Sequence, residues 1–292
     1  MAAISYARAP GMGCFPGKAG EKKEELLMKK WLALLLALLL TTALCAFAAA
    51  EADAQPDLLA RIQARGTLII ATEGNWSPWT YHDENDALVG LDVEIGTLIA
   101  HGLGVEPEFQ ETDWDAILAG VDSGRFDVAC NGVGYTAARA EKYSFSTPYV
   151  YTHKVLVVRG DNQDIQTVED LAGKTTANSA SSTYAALAEQ YGATVSYVNT
   201  LGETITVLEQ GRVDATINAQ VSIEDYLKEH PNANIKVAQV LDGDPVAYPV
   251  RKSADTDTLV AAIDEILETA RQDGTLAEIS LKYFGLDLTK PD

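Results

Sequence analysis

Cysteine and histidine are scarce in this sequence. The 292 residues include three cysteines and four histidines, and their spacing matches no metal-ligand pattern. We expect the mature protein to lack Cys14 and Cys45, which leaves Cys130 alone and excludes an intramolecular disulfide. No histidine placed as a base neighbours Cys130 in sequence, so we predict that it is a small buried residue rather than a nucleophile. The sequence therefore indicates neither a metal site nor another cofactor.

Positive charge is also in short supply. The chain carries 22 lysines and arginines against 42 aspartates and glutamates, which gives a formal net charge of −20. Such a surface repels phosphate groups, so nucleic acid and anionic membranes are poor partners. The length and the 47% hydrophobic content suffice for a large core. We expect an acidic carrier built from two lobes.

A secretory signal is predicted near the N-terminus. A basic start at Met28–Lys30 precedes the apolar run Trp31–Leu40, and small residues follow up to Ala50, which is the order of a cleavable signal. The apolar run is shorter than the roughly 20 residues that a membrane-spanning helix needs. We predict that residues 28–54 are a signal peptide. Residues 1–27 have no periodic apolar pattern and are predicted to be a disordered extension or untranslated.

Export to the periplasm or the extracellular space follows from this signal. The cleavage bond stays open, because several A-x-A sites overlap between Ala48 and Ala54. Lipid attachment at Cys45 is the alternative to cleavage and release. Leu44 argues against it, since lipoprotein signals have a small residue before the cysteine.

Beyond Gln55, short strand-like runs alternate with helical segments, which is typical of an α/β fold. The predicted strands are Leu68–Thr72, Glu106–Gln110, Asp127–Asn131, Val155–Val158, Thr194–Val198, Asp214–Asn218 and Ile235–Val240, and the predicted helices include Val93–Leu103, Ala116–Ser123, Tyr184–Tyr191, Glu203–Gln210 and Thr258–Asp273.

An internal repeat indicates two related halves. Residues Ser123–Asn131 and Gln210–Asn218 both contain Gly-Arg-x-Asp and both end in asparagine. Each copy reads as a helix end, a glycine turn and a buried strand, so Asn131 and Asn218 occupy equivalent strand ends. Open α/β sheets bind ligands at the carboxyl ends of their strands. We interpret the Gly-Arg-x-Asp elements as packing features and the two asparagines as candidate binding residues.

Several motifs, taken in order along the chain, carry a family resemblance. They resemble the motifs of the polar amino-acid family of ABC-transporter solute-binding proteins, and the match covers Leu58 to Leu288. The motifs are Gly90–Ile95, Trp114–Val128, Thr136–Arg139, Phe145–Tyr149, Gly211–Ala215 and Asp273–Gly285.

This resemblance implies a two-lobed periplasmic-binding-protein fold, similar to type II, with two crossover strands. We expect lobe 1 to comprise residues 57–152 plus 249–288 and lobe 2 to comprise 153–248, with crossovers near Tyr151–Lys154 and Tyr248–Arg251. It also implies a monomer that captures an amino acid between the lobes and delivers it to the membrane permease of an ABC importer.

The carboxylate of an amino acid needs a cation or amide donors, because burying it unpaired costs several kcal/mol. Arg139 offers a planar fork to such a carboxylate, and Thr136 is a plausible N-cap of its helix. Gly132 and Gly134 allow the backbone to approach a ligand closely. In the family, the residue matching Arg139 binds the α-carboxylate; the alternative reading is an arginine in an exposed helical turn.

The remaining site residues lie on both halves. Ser182 and Thr183 begin a helix in the second half, where a simple cap is the alternative role. By resemblance, Trp76 and Trp114 sandwich the ligand side chain, although tryptophans at such positions are often ordinary core residues. Trp79 is a third candidate for the wall.

The family usually has an acid one place after Asn218, where this chain has Ala219. We expect Glu73 to replace that acid, with Asn131, Asn218 and Gln220 as neutral helpers; the alternative is a ligand other than a standard α-amino acid. The region around Asp214–Asn218 and Asp225–Lys228 looks nearest to the cystine-type subgroup.

Two other functions compete with transport. An exported dehydratase-like enzyme on the same fold would need a placed acid or base, and neither a paired carboxylate nor a suitable histidine is evident. A sensor would need a spanning helix or a further domain. We therefore expect a binding protein and not an enzyme.

Overall fold

The computed structural model describes residues 56–291 and, before them, Met28, Lys30, Trp31, Leu32 and Leu34. The chain divides into two compact units, Met1–Gln55 and Pro56–Asp292. The five described residues of the first unit are helical and exposed. The predicted extension, and the signal peptide apart from those five residues, lie outside the described residues, as do Cys14 and Cys45. Among the helices that the structure describes, none combines the length and apolarity needed to span a bilayer.

Two sheets organise the second unit, and we name the lobes after them. By this naming, the first lobe takes the elements between residues 58 and 151 and those from residue 249 onward. Its elements are α1 (Leu58–Arg65), β1 (Thr67–Thr72), β2 (Asn75–Trp76), β3 (Thr80–His82), β4 (Leu88–Val89), α2 (Leu91–Gly102), β5 (Glu106–Glu111), α3 (Trp114–Asp122), β6 (Val128–Ala129), α4 (Ala137–Ala140), β7 (Tyr143–Phe145) and β8 (Val150–Tyr151).

The second lobe and the return to the first follow in chain order. The second lobe comprises β9 (Lys154–Arg159), a 3₁₀ turn (Val168–Leu171), β10 (Thr175–Asn178), α5 (Thr183–Gln190), β11 (Thr194–Tyr197), α6 (Leu201–Glu209), β12 (Ala215–Ala219), α7 (Gln220–Glu229) and β13 (Ile235–Leu241). The chain then forms β14 (Pro245–Val246), β15 (Pro249–Arg251), α8 (Asp257–Gln272) and α9 (Thr275–Phe284).

The two sheets repeat one arrangement. In the first lobe the strand order is β5-β1-β6, all parallel. In the second lobe the order is β11-β10-β12-β9-β13, where β10 runs parallel to β11 and β12, and β9 runs antiparallel to β12 and β13. Thus β6 and β12, the strands of the internal repeat, take equivalent places beside β1 and β10. The predicted two-lobed α/β fold is confirmed.

The Gly-Arg-x-Asp elements have the packing role that the sequence indicated. Asp127 Oδ2 accepts a hydrogen bond from Ile69 N at 2.8 Å, and Asp214 Oδ2 accepts one from Thr175 N at 2.7 Å. Each aspartate thereby ties the turn before its strand to the neighbouring strand. The preceding glycines have φ of 74° and 67°, a left-handed conformation that favours glycine.

Apolar faces of helices cover both sheets. In the first lobe, Ile95 and Ile99 of α2 and Ile263 of α8 pack with Ile70 of β1 in one buried cluster. Cys130 is fully buried in the same cluster, as predicted, and burial raises the pKa of its thiol well above the usual value.

In the second lobe, Val155 and Val157 of β9 pack with Ile205 and Leu208 of α6. Leu156 and Val158 point to the opposite face of the same sheet and pack with Ile217. Since successive residues of β9 are buried on both faces, this strand reads as a continuous apolar run.

The two lobes are joined by paired crossover segments. Residues 150–151 before the second lobe hydrogen-bond with residues 245–246 after it, as the antiparallel pair β8 and β14. The segment Tyr248–Arg251, where we predicted the second crossing, follows directly. There β15 pairs with β7 of the first lobe.

A buried carboxylate lies beside these crossovers. Asp92 Oδ1 accepts hydrogen bonds from the hydroxyls of Tyr149 at 2.5 Å and Tyr248 at 2.9 Å, and Asp92 Oδ2 accepts one from Gly132 N at 2.5 Å. The two tyrosine rings stack with centroids 4.1 Å apart. Burial raises the pKa of Asp92 to about 6, although these hydrogen bonds act in the opposite direction.

Candidate functional site

A cavity of about 70 Å³ lies between the lobes. Since roughly 10–15 Å³ of such space holds one water molecule, it is a formed cavity rather than a packing gap. Nine of the ten predicted binding residues line it: Glu73, Trp76, Trp114, Gly132, Gly134, Arg139, Ser182, Thr183 and Asn218. The tenth, Asn131, is fully buried behind Glu73.

Arg139 supplies a cation at one end of the cavity. Thr136 caps its short helix by accepting a hydrogen bond from Arg139 N at 3.2 Å. The guanidinium donates to Gly134 O at 2.9 Å and to Ser181 O at 3.2 Å, and it lies 5.3 Å from the ring centroid of Trp114. Burial lowers the pKa of Arg139, which shows that the charge is partly desolvated.

Among residues 56–291, Arg139 forms no salt bridge with a carboxylate. A partly desolvated cation with no carboxylate in direct contact is costly by itself. An anionic group in the cavity would therefore be stabilised at this position, and the planar fork suits a carboxylate.

Glu73 supplies an acid at another part of the cavity. It follows β1, and its Oε2 accepts a hydrogen bond from Asn131 Nδ2 at 2.6 Å, while Asn131 Oδ1 accepts one from Glu73 N at 2.8 Å. Burial raises the pKa of Glu73 to about 7; the bond to Asn131 opposes this rise, and the charges of Asp113 and Asp115 add to it. Asn131 therefore positions Glu73 instead of facing the cavity.

Tryptophans form much of the wall. Trp76 and Trp79 stack with ring centroids 5.4 Å apart, and both line the cavity together with Trp114. A Cβ at Gly132 would lie 2.6 Å from the Trp76 ring, so the absence of a side chain lets this ring pack against the backbone. In the described structure, the buried indole nitrogens of Trp79 and Trp114 have no hydrogen-bond partner.

Ser182 begins α5 as an N-cap. Its Oγ accepts from Ala185 N at 3.1 Å and donates to Ser179 O at 2.8 Å. The capping role that we considered for this position is confirmed, and the hydroxyl also lines the cavity. Thr183, the next residue, is the first of the helix.

One edge of the second-lobe sheet also lines the cavity, and two of its residues, Asn178 and Lys154, were not predicted from the sequence as binding residues. Asn178 ends β10 and Lys154 begins β9, and both line the cavity together with Asp244 from the return crossover. Asn178 Nδ2 donates to Ile217 O at 2.8 Å, but its buried Oδ1 has no partner among the described residues. Lys154 Nζ lies 2.9 Å from Asp244 Oδ2. Asn178 lies at the end of its strand, near the places that Asn131 and Asn218 take at β6 and β12, but β10 was not among the predicted strands and so gave no signal.

Ala219, where the family acid was expected, is buried with 1% of its surface exposed and does not line the cavity. In the antiparallel pairing of β12 with β9, it lies directly opposite Lys154. The lysine is thus close to position 219 while its ammonium group pairs with Asp244.

Comparisons with known proteins agree with this architecture. The profile of the bacterial extracellular solute-binding proteins, family 3, matches residues 68–286. The chain is 39% identical to a probable amino-acid ABC transporter-binding protein of Haemophilus influenzae, over 87% of this chain and 99% of that protein. It is 40% identical to the L-cystine-binding protein TcyA of Bacillus subtilis, over 88% of this chain and 98% of that protein.

Solved structures give the same result. An ancestral arginine-binding protein bound to glutamine superposes with a TM-score of 0.71 and 34% identity, over 76% of this chain and 99% of that one. An ancestral amino acid-binding protein described as a precursor of cyclohexadienyl dehydratase superposes with a TM-score of 0.69 and 27% identity, over 78% of this chain and 99% of that one.

These matches span nearly the whole of each relative and most of this chain. The curated relatives are transporter-binding proteins and not enzymes, in agreement with our expectation. The resemblance that the motifs indicated is confirmed: this chain belongs to the bacterial extracellular solute-binding proteins of family 3.

Proposed function

We propose that this protein is exported, captures a free polar or cystine-like amino acid between its lobes, and delivers it as a monomer to the permease of an ABC importer. The proposed lobes are residues 57–152 plus 249–288 and residues 153–248, and the proposed signal peptide is 28–54. The relatives named as amino-acid and L-cystine-binding proteins support the ligand class.

One observation carries the proposal: the cavity contains a cation that lacks a carboxylate partner and a hydrogen-bond acceptor that lacks a donor. Arg139 is a partly desolvated cation without a carboxylate partner among residues 56–291, and Asn178 Oδ1 is a buried acceptor without a donor there. Buried polar groups in native proteins are usually hydrogen-bonded, and leaving one unpaired costs about 1–3 kcal/mol. A ligand that satisfies both groups carries an anionic group, such as a carboxylate, and a hydrogen-bond donor. A zwitterionic amino acid carries both.

The tryptophan walls and Glu73 constrain the rest of the ligand. Flat rings of Trp76 and Trp114 suit the hydrocarbon or sulfur part of a side chain. Glu73 lies among acids, and its neighbours Asp113 and Asp115 add negative potential. A donor or cation at the far end of the side chain would be favoured there, as in cystine, arginine or glutamine.

A thermal-shift screen tests the proposal. The protein would be heated with each of the standard amino acids, with L-cystine and with small dipeptides. A ligand present at 100 times its dissociation constant adds about 2.7 kcal/mol to the free energy of unfolding, so a true ligand raises the melting temperature clearly. Stabilisation by an amino acid supports the proposal. Stabilisation only by dipeptides, or by none of these compounds, contradicts it.

A further inference from the structure

An ion pair lies where the two crossover segments meet the cavity. Lys154 is the first residue of β9, just after the chain enters the second lobe, and Asp244 precedes β14, just before the chain returns. Their charged groups lie 2.9 Å apart, with 14% and 24% of the side chains exposed. Both residues line the cavity.

The backbone fixes Asp244 next to the loop that carries Arg139. Tyr135 N donates to Pro245 O at 2.7 Å, and Gly134 forms an isolated antiparallel bridge with Val246. A Cβ at Gly134 would lie 3.1 Å from Asp244 Oδ2. On the other side, Gly243 packs so tightly on the first crossover that a Cβ there would lie 1.4 Å from Thr152 O.

The geometry of an α-amino acid decides which acid receives its ammonium group. The ammonium nitrogen and the carboxylate carbon are bonded to the same Cα, so they lie only about 2.5 Å apart. If Arg139 binds the carboxylate, the acceptor of the ammonium must be close to Arg139. The carbonyl of Gly134 accepts a hydrogen bond from the Arg139 guanidinium, and the Cα of Gly134 faces Asp244. A single residue, Gly134, therefore lies between Arg139 and Asp244.

Glu73 meets this requirement less well than Asp244 does. Its hydrogen bond goes to Asn131, and the charges that act on its pKa are those of Asp113 and Asp115. By contrast, the charge of Asp244 acts on Arg139 itself. Asp244 is thus the acid that the backbone contacts hold next to the Arg139 loop, and we assign Glu73 to another part of the ligand.

We infer that Asp244 accepts the hydrogen bond of the ligand's α-ammonium group, and that Lys154 is a positioning residue that holds the Asp244 carboxylate at the cavity wall. Asp244 then supplies the acid that is missing at position 219. Lys154 lies next to both, since its backbone is opposite Ala219 and its ammonium group pairs with Asp244. The inference rests on the proposed function, because it presumes an amino-acid ligand.

The test compares amino acids with the same compounds lacking the α-amino group. L-Cystine, L-arginine and L-glutamine, and their deaminated analogues, would be titrated calorimetrically into the wild-type protein, Asp244→Asn and the matched control Asp242→Asn. Asp242 is exposed two residues away and does not line the cavity.

For each amino acid that binds the wild type, Asp244→Asn should weaken binding by about 10- to 100-fold, as expected for a hydrogen bond to a charged group. Binding of its analogue should change less than about threefold, within the spread for a lost neutral contact. Asp242→Asn should change neither.

Two further variants test whether Lys154 positions Asp244 or only stabilises the fold. Lys154→Gln should weaken binding but keep the preference for the amino acid over its analogue, because the acceptor stays in place. Lys154→Gln/Asp244→Asn removes both charges together and should lose the preference; it also serves if Asp244→Asn alone fails to fold.

The outcomes are distinct. An equal loss for amino acid and analogue in Asp244→Asn, or an unchanged preference in the double variant, overturns the inference while the proposed function stands. Failure of the wild-type protein to bind any of the three amino acids overturns the inference, and an empty thermal-shift screen then overturns the proposed function as well.

Discussion

The carboxylate of Asp115 in the first lobe accepts two hydrogen bonds from Ser181 in the second, from the backbone nitrogen at 2.9 Å and from the hydroxyl at 2.6 Å. Ser181 also accepts the hydrogen bond from Arg139 through its carbonyl. One residue at the rim of the second lobe therefore contacts both a rim acid and the cation of the candidate site. We therefore expect closure of the lobes and occupation of the carboxylate position to be linked through Ser181.

We predict that Asp115→Ala weakens ligand binding by about 2- to 10-fold, because it removes hydrogen bonds made only when the lobes are together, at about 0.5–1.5 kcal/mol net. Small-angle scattering with saturating ligand should still show closure, but more ligand should be needed. Asp122→Ala, at the exposed end of the same helix, is the control and should bind as the wild type does. An unchanged affinity in Asp115→Ala would remove this contact from the closing mechanism.

Arg139 should dominate the affinity. Arg139→Ala should weaken binding by about 3–5 kcal/mol, the cost of leaving a buried charge without its partner. Arg139→Lys keeps the charge but loses the fork, so its affinity should lie between those of the wild type and the alanine variant. Titration calorimetry measures both, and circular dichroism should show that the unliganded variants remain folded. Wild-type affinity in a folded Arg139→Ala would exclude Arg139 from the site.

The apolar strands and the motif residues could be predicted from the sequence. The runs that form β1, β9 and β12 are apolar and buried, so period and composition predicted them within one or two residues. Arg139 and Glu73 were found by motif, and both line the cavity. The repeat predicted that β6 and β12 take equivalent positions, because its Gly-Arg-x-Asp pattern encodes the same turn twice.

The elements and site residues that the sequence did not predict are ones that depend on tertiary contacts. The strand β10 has the polar sequence Thr-Thr-Ala-Asn, although Thr176, Ala177 and Asn178 are buried, and β2 and β4 have two residues each, too few for a period. The helix α7 has no side-chain cap at Ala219. Asp244 lies in the polar segment after β13, which reads as an ordinary loop. Only the folding of the crossovers brings Asp244 to Lys154.

Tyr149 should support the carboxylate beside the crossovers in a pH-dependent manner. Its hydroxyl donates to Asp92, whose pKa of about 6 means that the carboxylate is ionised at pH 8 and largely protonated at pH 5. Tyr149→Phe removes a donor that the ionised form needs. The loss in free energy of unfolding should be about 1.5–3 kcal/mol at pH 8 and smaller at pH 5.

Urea denaturation at the two pH values measures this loss. Tyr191→Phe, in the second lobe, is the control and should show no such pH dependence. An equal loss at pH 5 and pH 8 in Tyr149→Phe would mean that the hydroxyl does not act through the charge of Asp92.

Glu73 should make the unliganded protein less stable as the pH rises. Its pKa is raised by burial from the usual 4.5 to about 7, so between these values the folded state binds more protons than the unfolded state. Glu73 therefore contributes a fall in the free energy of unfolding of up to about 3 kcal/mol as pH rises through this window, and its contribution is level above it. Glu73→Gln should remove this contribution and leave that of Asp92, so the variant should match the wild type near pH 4.5 and exceed its stability at pH 8. Glu84→Gln, an exposed glutamate, should leave the fall unchanged.

Ligand binding should reverse the preference of Glu73 for the proton. A cationic or donor group placed against Glu73 favours the carboxylate, so binding at pH 7 should release protons to the solvent. Calorimetry in two buffers of different ionisation enthalpy measures this release, and Glu73→Gln should abolish it while losing more than about 1.5 kcal/mol of binding free energy. Proton release that persists in Glu73→Gln would assign it to another group. Its absence in the wild type would mean that neither a cation nor a hydrogen-bond donor of the ligand faces Glu73.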